Sequence, residues 1–367
     1  MNKKQFIRDN IQTLRKIYIS GVENISSVYK NFVSERRKRN VKLFFYYIAI
    51  CVLNKRHFVE KEITVISGNS QRRNADSQKL KFHVYRSNWF NSIKELREGV
   101  TVVSPFSRLQ RIKILLDSIW FKNVIGSRDL GMALDFYFLT CFFIEACVSK
   151  VNGRGHYDEC ATWLGGLSRL IGYKYSVYQH GVVTNKVHVP NKYFCDNVFG
   201  FDSYSLKVFK ENVIENDDCK FVVYPFAPSV SFASVDKKQG KIYVGIIEQT
   251  DRKWVKQILG TLSDEPDLMI YIMKHPLTKE DYESNSNILV TNKKIDNLDI
   301  IVTANSTLLL DYVRAKYQGK MIITDQETAE IFSDYKEIKL VDSIDDLKKF
   351  VSEIREELTN ESHNLCK

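Results

Sequence analysis

The segment DIIVTANSTLLLDYVRA, residues 299–315, carries the polar side chains best suited to binding an anion. It reads as a hydrophobic strand, a short polar turn that includes Asn305, and a helix that opens at Ser306 or Thr307. Backbone N–H groups and the dipole at a helix N-terminus attract an anion, and two hydroxyl groups can donate further hydrogen bonds. Serine and threonine are also preferred helix N-caps in any protein. The segment therefore predicts either a phosphate site or an ordinary helix cap.

A histidine ends an apolar run in YIMKHPLTKED, where Lys274, His275 and Pro276 occupy the predicted turn. Asn, Asp or Gly would make such a turn at less cost. A histidine can donate to a phosphate oxygen and, when protonated, stabilise the charge of a departing nucleotide. It can also be a simple turn residue beside a proline that fixes φ. Ligands of open parallel sheets bind at the carboxyl ends of strands, so this turn and Glu248, at the end of predicted strand 241–249, should share one crevice with the Ser-Thr pair.

A second histidine, His180, ends the predicted strand KYSVYQHGVV, residues 174–183. Its reference pKa near 6.5 leaves it largely neutral, with a nitrogen able to take a proton from a hydroxyl group. It can equally bind a phosphate or a backbone carbonyl group. Asp158 and Glu159, in GHYDECA, are the alternative bases, although acidic residues at a helix start commonly compensate the helix dipole.

Several common motifs are missing from the sequence. There is no G-x-G-x-x-G after the first strand, no G-x-x-x-x-G-K-[ST] and no G-x-S-x-G, which disfavours nicotinamide cofactors, P-loop chemistry and the hydrolase elbow. No C-x-x-C pair predicts zinc, and no D-x-D motif ends a strand. The expectation is a site that uses neither a metal ion nor a cofactor.

An HP motif followed some thirty residues later by Ser-Thr at a helix start resembles the bacterial GT-B glycosyltransferases that use CMP-activated sugars, the sialyltransferase and Kdo-transferase group. In that group the two motifs hold the nucleotide phosphate. The matching residues here are His275, Pro276, Ser306 and Thr307. Sialyltransferases of this type take their general base from an acidic pair followed by glycine, whereas this chain has YQHGVV at a comparable strand end.

The resemblance implies an inverting, metal-independent transferase that moves a CMP-activated nonulosonate or Kdo onto a bacterial surface polysaccharide or lipopolysaccharide. The same fold with a UDP-sugar, GDP-sugar or CDP-polyol donor is an alternative. A non-catalytic scaffold of a polysaccharide assembly complex is another.

The order of elements predicts an α/β protein with two Rossmann-like domains and a cleft between them. Helical spacing fills residues 1–60, and alternating strands and helices follow in an acceptor domain, 61–228, and a donor domain, 229–345, with a closing helical segment, 346–367. The apolar run LDFYFLTCFFIEACV is too short for a membrane span and predicts a buried helix within 130–151.

Charge and cysteine usage bear on location. Residues 1–60 hold 13 basic and four acidic side chains, a net +9 of the chain's +10. The block ERRKRNVK within them can be a solvated helix face or can bind an anionic membrane surface, whereas no recognised module supports nucleic acid. Seven scattered cysteines, and an N-terminus without an apolar signal segment, predict a cytoplasmic protein that is peripheral on the inner face of the cell membrane.

Overall fold

The computed structural model of the chain divides into two compact units, Met1–Tyr224 and Pro225–Lys367. It describes residues 3–28, 62–66, 84–85, 106–154, 159–179, 183, 189–224, 230–248, 252–274, 282–304, 306, 308–341 and 343–365. Each unit contains a parallel sheet with helices, so the predicted α/β class is confirmed.

Unit 1 is built on a six-stranded sheet in the order β2-β1-β3-β4-β5-β6, with every pair parallel. Its strands are β1 Glu62–Ile66, β2 Val84–Tyr85, β3 Lys150–Arg154, β4 Lys174–Tyr178, β5 Asn197–Gly200 and β6 Lys220–Val223. The helices that the structure describes in this unit are α1 Lys3–Asp9, α2 Ile11–Val28, α3 Arg108–Val124, α4 Leu130–Ala146, α5 Glu159–Ile171 and α6 Ser203–Asn212.

The first two helices belong to the core of unit 1. Ile7, Leu14 and Tyr18 are buried there. The indole of Trp163, on α5, donates to the Tyr18 carbonyl oxygen at 3.2 Å. A Cβ at Gly21 would collide with that indole, so glycine permits the close approach of α2 and α5.

Asn24 fixes the other end of α2. Its side chain is buried, donates to Thr162 Oγ1 and to the Asn191 carbonyl oxygen at 2.8 Å each, and accepts from the Asn191 N–H at 2.9 Å. A buried amide with three partners holds residues far apart in sequence in one arrangement.

Helix α4 is the predicted buried helix, but it is shorter than the prediction of 130–151. Most of its side chains are buried, and Asp129 caps it by accepting from the Met132 N–H at 3.0 Å. The helix ends at Ala146 because Cys147 adopts a left-handed conformation with φ 49°. Residues Lys150–Arg154 then form β3, between β1 and β4, so the predicted helical end was wrong.

Unit 2 is built on a second parallel sheet in the order β10-β9-β8-β12-β13-β14. Its strands are β7 Phe232–Ala233, β8 Ile242–Ile247, β9 Leu268–Met273, β10 Ile288–Thr291, β11 Lys294–Ile295, β12 Ile300–Thr303, β13 Lys320–Ile323 and β14 Ile338–Leu340. Its helices are α7 Arg252–Leu262, α8 Leu308–Arg314, α9 Gln326–Ala329, a 3₁₀ turn Glu330–Phe332, and α10 Ile344–Leu365. The short β7 and β11 pair separately.

Strands β8, β9 and β12 are buried along their whole length. Parallel strands covered on both faces read as continuous apolar runs, and for this reason the sequence predicted them correctly. The helices expected between the strands are observed as α3, α5, α7 and α8.

Among the helices that the structure describes, none combines the length and the apolar character needed to cross a membrane.

Candidate functional site

The sheet order of unit 2 places a topological switch point between β8 and β12. From β8 the chain adds β9 and β10 on one side, and then returns to add β12, β13 and β14 on the other. Ligands of open α/β sheets bind beyond the carboxyl ends of the strands at such a point. Glu248 follows β8, Lys274 follows β9 and Ser306 follows β12, so three predicted site residues come from three neighbouring strands.

Glu248 is fully buried at the end of β8. Its backbone N–H donates to the Met273 carbonyl oxygen at 3.1 Å, which extends the pairing of β8 and β9 by one residue. The hydroxyl group of Tyr282 donates to Glu248 Oε1 at 2.7 Å. A buried carboxylate needs such donors, because an unsolvated charge is costly. The carboxylate is therefore held in a defined position at the switch point.

Lys294 is a neighbour of Glu248 that the sequence reasoning missed. Its ammonium group donates to the Lys274 carbonyl oxygen at 2.9 Å. Burial lowers the pKa of Lys294, and the charge of Glu248 partly offsets that effect. The Lys274 backbone is itself fixed, since its N–H donates to the Thr291 carbonyl oxygen at 2.8 Å. The end of β9, which leads into His275, therefore carries the half-buried ammonium group of Lys294 on the Lys274 carbonyl oxygen.

Ser306 caps α8. Its hydroxyl oxygen accepts from the Leu308 N–H at 3.2 Å, and its carbonyl oxygen accepts from the Leu309 N–H at 3.2 Å. These hydrogen bonds are of the kind that a serine makes at a helix start. The hydroxyl proton remains available, because a serine can accept one hydrogen bond and donate another. The helix has only seven residues.

Unit 1 has its switch point between β1 and β3, because β2 lies on one side of β1 while β3, β4, β5 and β6 lie on the other. Glu159 is the first residue of α5, the helix that follows β3. The end of β3 and the start of α5 thus lie next to the switch point, whereas β4, the strand before His180, is one strand further along.

Gln179, the residue before His180, is fixed by both ends of its side-chain amide. It is buried, donates from Nε2 to Ser205 Oγ at 3.0 Å, and accepts at Oε1 from the Phe201 N–H at 2.7 Å. Sequence reasoning did not single out this glutamine, because a strand-end amide carries no spacing signal of its own. Its contacts anchor the end of the strand that leads into His180.

The remaining predicted site residues lie outside the described residues, and their assignments stay predictions: Asp158, His180, His275, Pro276, Asn305 and Thr307. Over the part of the chain that the structure describes, no group of three or more His, Cys, Asp and Glu side chains is arranged to hold a metal ion.

No protein-family model matches the sequence, and no curated protein gives a significant sequence match. Solved structures do share its architecture. Anabaena HepE, solved in complex with UDP-glucose, aligns over 81% of this chain and 90% of its own, with a TM-score of 0.51 and 9% identity. The glycotransferase of kitacinnamycin aligns over 80% and 90%, with a TM-score of 0.49 and 12% identity. Acinetobacter baumannii MurG aligns over 81% and 92%, with a TM-score of 0.47 and 12% identity.

At such low identity the likeness concerns the fold alone. The chain has the GT-B architecture, with two successive Rossmann-like α/β units.

Proposed function

We propose that the protein is a glycosyltransferase that moves a sugar from a nucleotide-activated donor to a glycan or glycolipid acceptor. The observation that carries this proposal is the convergence of Glu248, Lys274 and Ser306 on the carboxyl ends of β8, β9 and β12, at the switch point of the second sheet of a GT-B fold. Nucleoside monophosphates and diphosphates are typical ligands at the switch point of such a sheet.

The proposed reaction is an inverting displacement. An acceptor hydroxyl oxygen attacks the anomeric carbon as the bond from that carbon to the donor phosphate oxygen breaks, and the phosphate keeps the electron pair. His180 takes the hydroxyl proton, with Asp158 and Glu159 as the alternative bases. His275, together with the Ser-Thr pair, neutralises the leaving phosphate, so no metal ion takes part in the proposal.

The donor has two candidates. A CMP-activated nonulosonate or Kdo follows from the HP and Ser-Thr motifs, which match His275, Pro276, Ser306 and Thr307. A uridine nucleotide is favoured by HepE, which shares the fold and was solved with UDP-glucose. The proposed acceptor is a bacterial surface polysaccharide or lipopolysaccharide, and the proposed location is the cytoplasmic face of the cell membrane.

Binding of CMP, CDP, UDP and GDP to the full chain, measured by calorimetry with and without a chelator, tests the proposal. We expect one of the four nucleotides to bind in the presence of the chelator. The substitution Glu248→Gln should weaken that binding. Release of that nucleotide from its sugar conjugate, measured with acceptor glycans, tests transfer. Absence of binding by all four nucleotides would favour the non-catalytic scaffold instead.

A further inference from the structure

Helix α3 presents an apolar stripe to the solvent over its whole length. Its buried face carries Ile114, Leu115, Ser118 and Phe121, which pack into unit 1. The opposite face exposes large apolar side chains at helical spacing: Leu109 (80%), Ile112 (40%), Leu116 (62%), Ile119 (42%), Trp120 (42%) and Val124 (38%). A helix that is apolar on the side facing water has a partner that covers that side.

A basic cavity of about 430 Å³ lies beside this stripe, between α1 and α3. Lys3, Lys4, Arg8 and Lys113 supply four positive charges to its lining. Two carboxylates are close: Asp117, in the lining, pairs with Lys4 at 3.0 Å, and Glu145 pairs with Lys3 at 2.9 Å. Four cations against two anions leave a local charge of +2, with Arg8 and Lys113 exposed.

Apolar side chains next to cations on one surface match the layered chemistry of a bilayer interface. Leucine, isoleucine and tryptophan enter the acyl boundary of a bilayer, while lysine and arginine bind lipid phosphates above it. A protein partner, unlike a bilayer, does not require cations beside the apolar stripe. Trp120, on the stripe, is of the type enriched at that boundary.

We propose that α3, with the cavity that it shares with α1, docks the protein on an anionic lipid bilayer. The stripe enters the interface, and the cavity holds the phosphate of an anionic lipid. This assignment places membrane contact on described residues of unit 1, separately from the basic block at 35–42 that the sequence singled out. It does not depend on the nucleotide site.

Co-sedimentation of the full chain with vesicles is the test, using phosphatidylcholine alone or mixed with phosphatidylglycerol. We expect binding to the mixed vesicles only, weakened roughly tenfold or more by Leu109→Gln with Leu116→Gln, and similarly by Arg8→Gln with Lys113→Gln. Matched controls are Leu289→Gln, on an exposed site of β10, and Lys207→Gln, on the exposed face of α6; neither should change binding. Tryptophan emission should shift to the blue on binding, and Trp120→Phe should abolish that shift.

Four results would overturn the assignment. Equal binding to neutral vesicles would remove the role of the cavity. Vesicle binding that survives the α3 variants but is lost on neutralising Arg36, Arg37, Lys38 and Arg39 would move the contact to the basic block. A wild-type dimer in light scattering that becomes a monomer with Leu116→Gln would make the stripe a contact between copies. A lowered melting temperature in the apolar double variant would show that the chain itself covers the stripe.

Discussion

The Tyr282 hydroxyl group donates to Glu248 Oε1 at 2.7 Å, across 34 residues of sequence. Tyr282 follows His275 by seven residues, so the bond ties the far end of the segment that carries this histidine to the carboxyl end of β8. A fully buried carboxylate at the end of β8 and a half-buried phenol between β9 and β10 thus connect two segments beside the switch point.

Tyr282→Phe should lower the free energy of unfolding by about 1.5–3 kcal/mol, because a buried carboxylate loses a hydrogen-bond donor. Urea unfolding measures that loss. The same variant should weaken nucleotide binding. Tyr317→Phe is the control, since it loses a bond from the Tyr317 hydroxyl group to the Leu298 carbonyl oxygen, before the start of β12, and should keep nucleotide affinity. Equal nucleotide affinity in wild type and Tyr282→Phe would show that Glu248 is not part of the donor site.

His275→Ala should weaken nucleotide binding or slow transfer by roughly 10²-fold or more, because one donor to the leaving phosphate is lost. Steady-state kinetics and calorimetry measure both effects. His363→Ala, near the end of α10, is the control and should leave both unchanged. Wild-type turnover in His275→Ala would refute the role assigned to this histidine.

His180→Ala should lower the rate by roughly 10² to 10⁴ and leave nucleotide affinity nearly intact, because a general base contacts the acceptor rather than the donor. The acidic limb of the pH–rate profile should also disappear. Asp158→Asn and Glu159→Gln should retain that limb. If instead one of these two variants loses the limb and His180→Ala keeps it, the base is Asp158 or Glu159, between β3 and the first turn of α5.

Cys141, in the lining of the basic cavity, should resist alkylation in the folded protein. Burial raises its pKa to about 12 from 9.0, so at pH 8 its thiolate fraction is roughly a thousandfold lower than that of an unperturbed thiol. Iodoacetamide labelling followed by peptide mass spectrometry should modify exposed Cys147 before Cys141. Since the native thiol retains its proton while the unfolded thiol loses it, the contribution of Cys141 to stability should fall as pH rises from 9 towards 12. Rapid labelling of Cys141 at pH 8 would contradict this expectation.

Sequence reasoning succeeded for the parallel strands that are buried on both faces, because such strands are continuous apolar runs in the sequence. The apolar runs of β8, β9 and β12 predicted buried parallel strands, and from their ends Glu248, Lys274 and Ser306 followed as candidates. It failed for β3, since KVNGR has a polar composition and is a strand only because β1 and β4 pair with it. Lys294 was missed for a similar reason. It lies on β11, a two-residue strand that pairs with β7, and its register partner Phe232 is 62 positions earlier in the sequence.

The packing of α2 on α5 bears on synthesis of the chain at the ribosome. The Tyr18 carbonyl oxygen and the Trp163 indole are separated by 145 residues. At about 5–20 residues per second, translation needs roughly 7–30 s to deliver Trp163 after Tyr18 has been made. Ile7, Leu14 and Tyr18 must wait through that interval without the surface that buries them. Helix α2, which is made early, therefore reaches its native contact with α5 only after α5 has been made, and the early nascent chain depends on protection from aggregation.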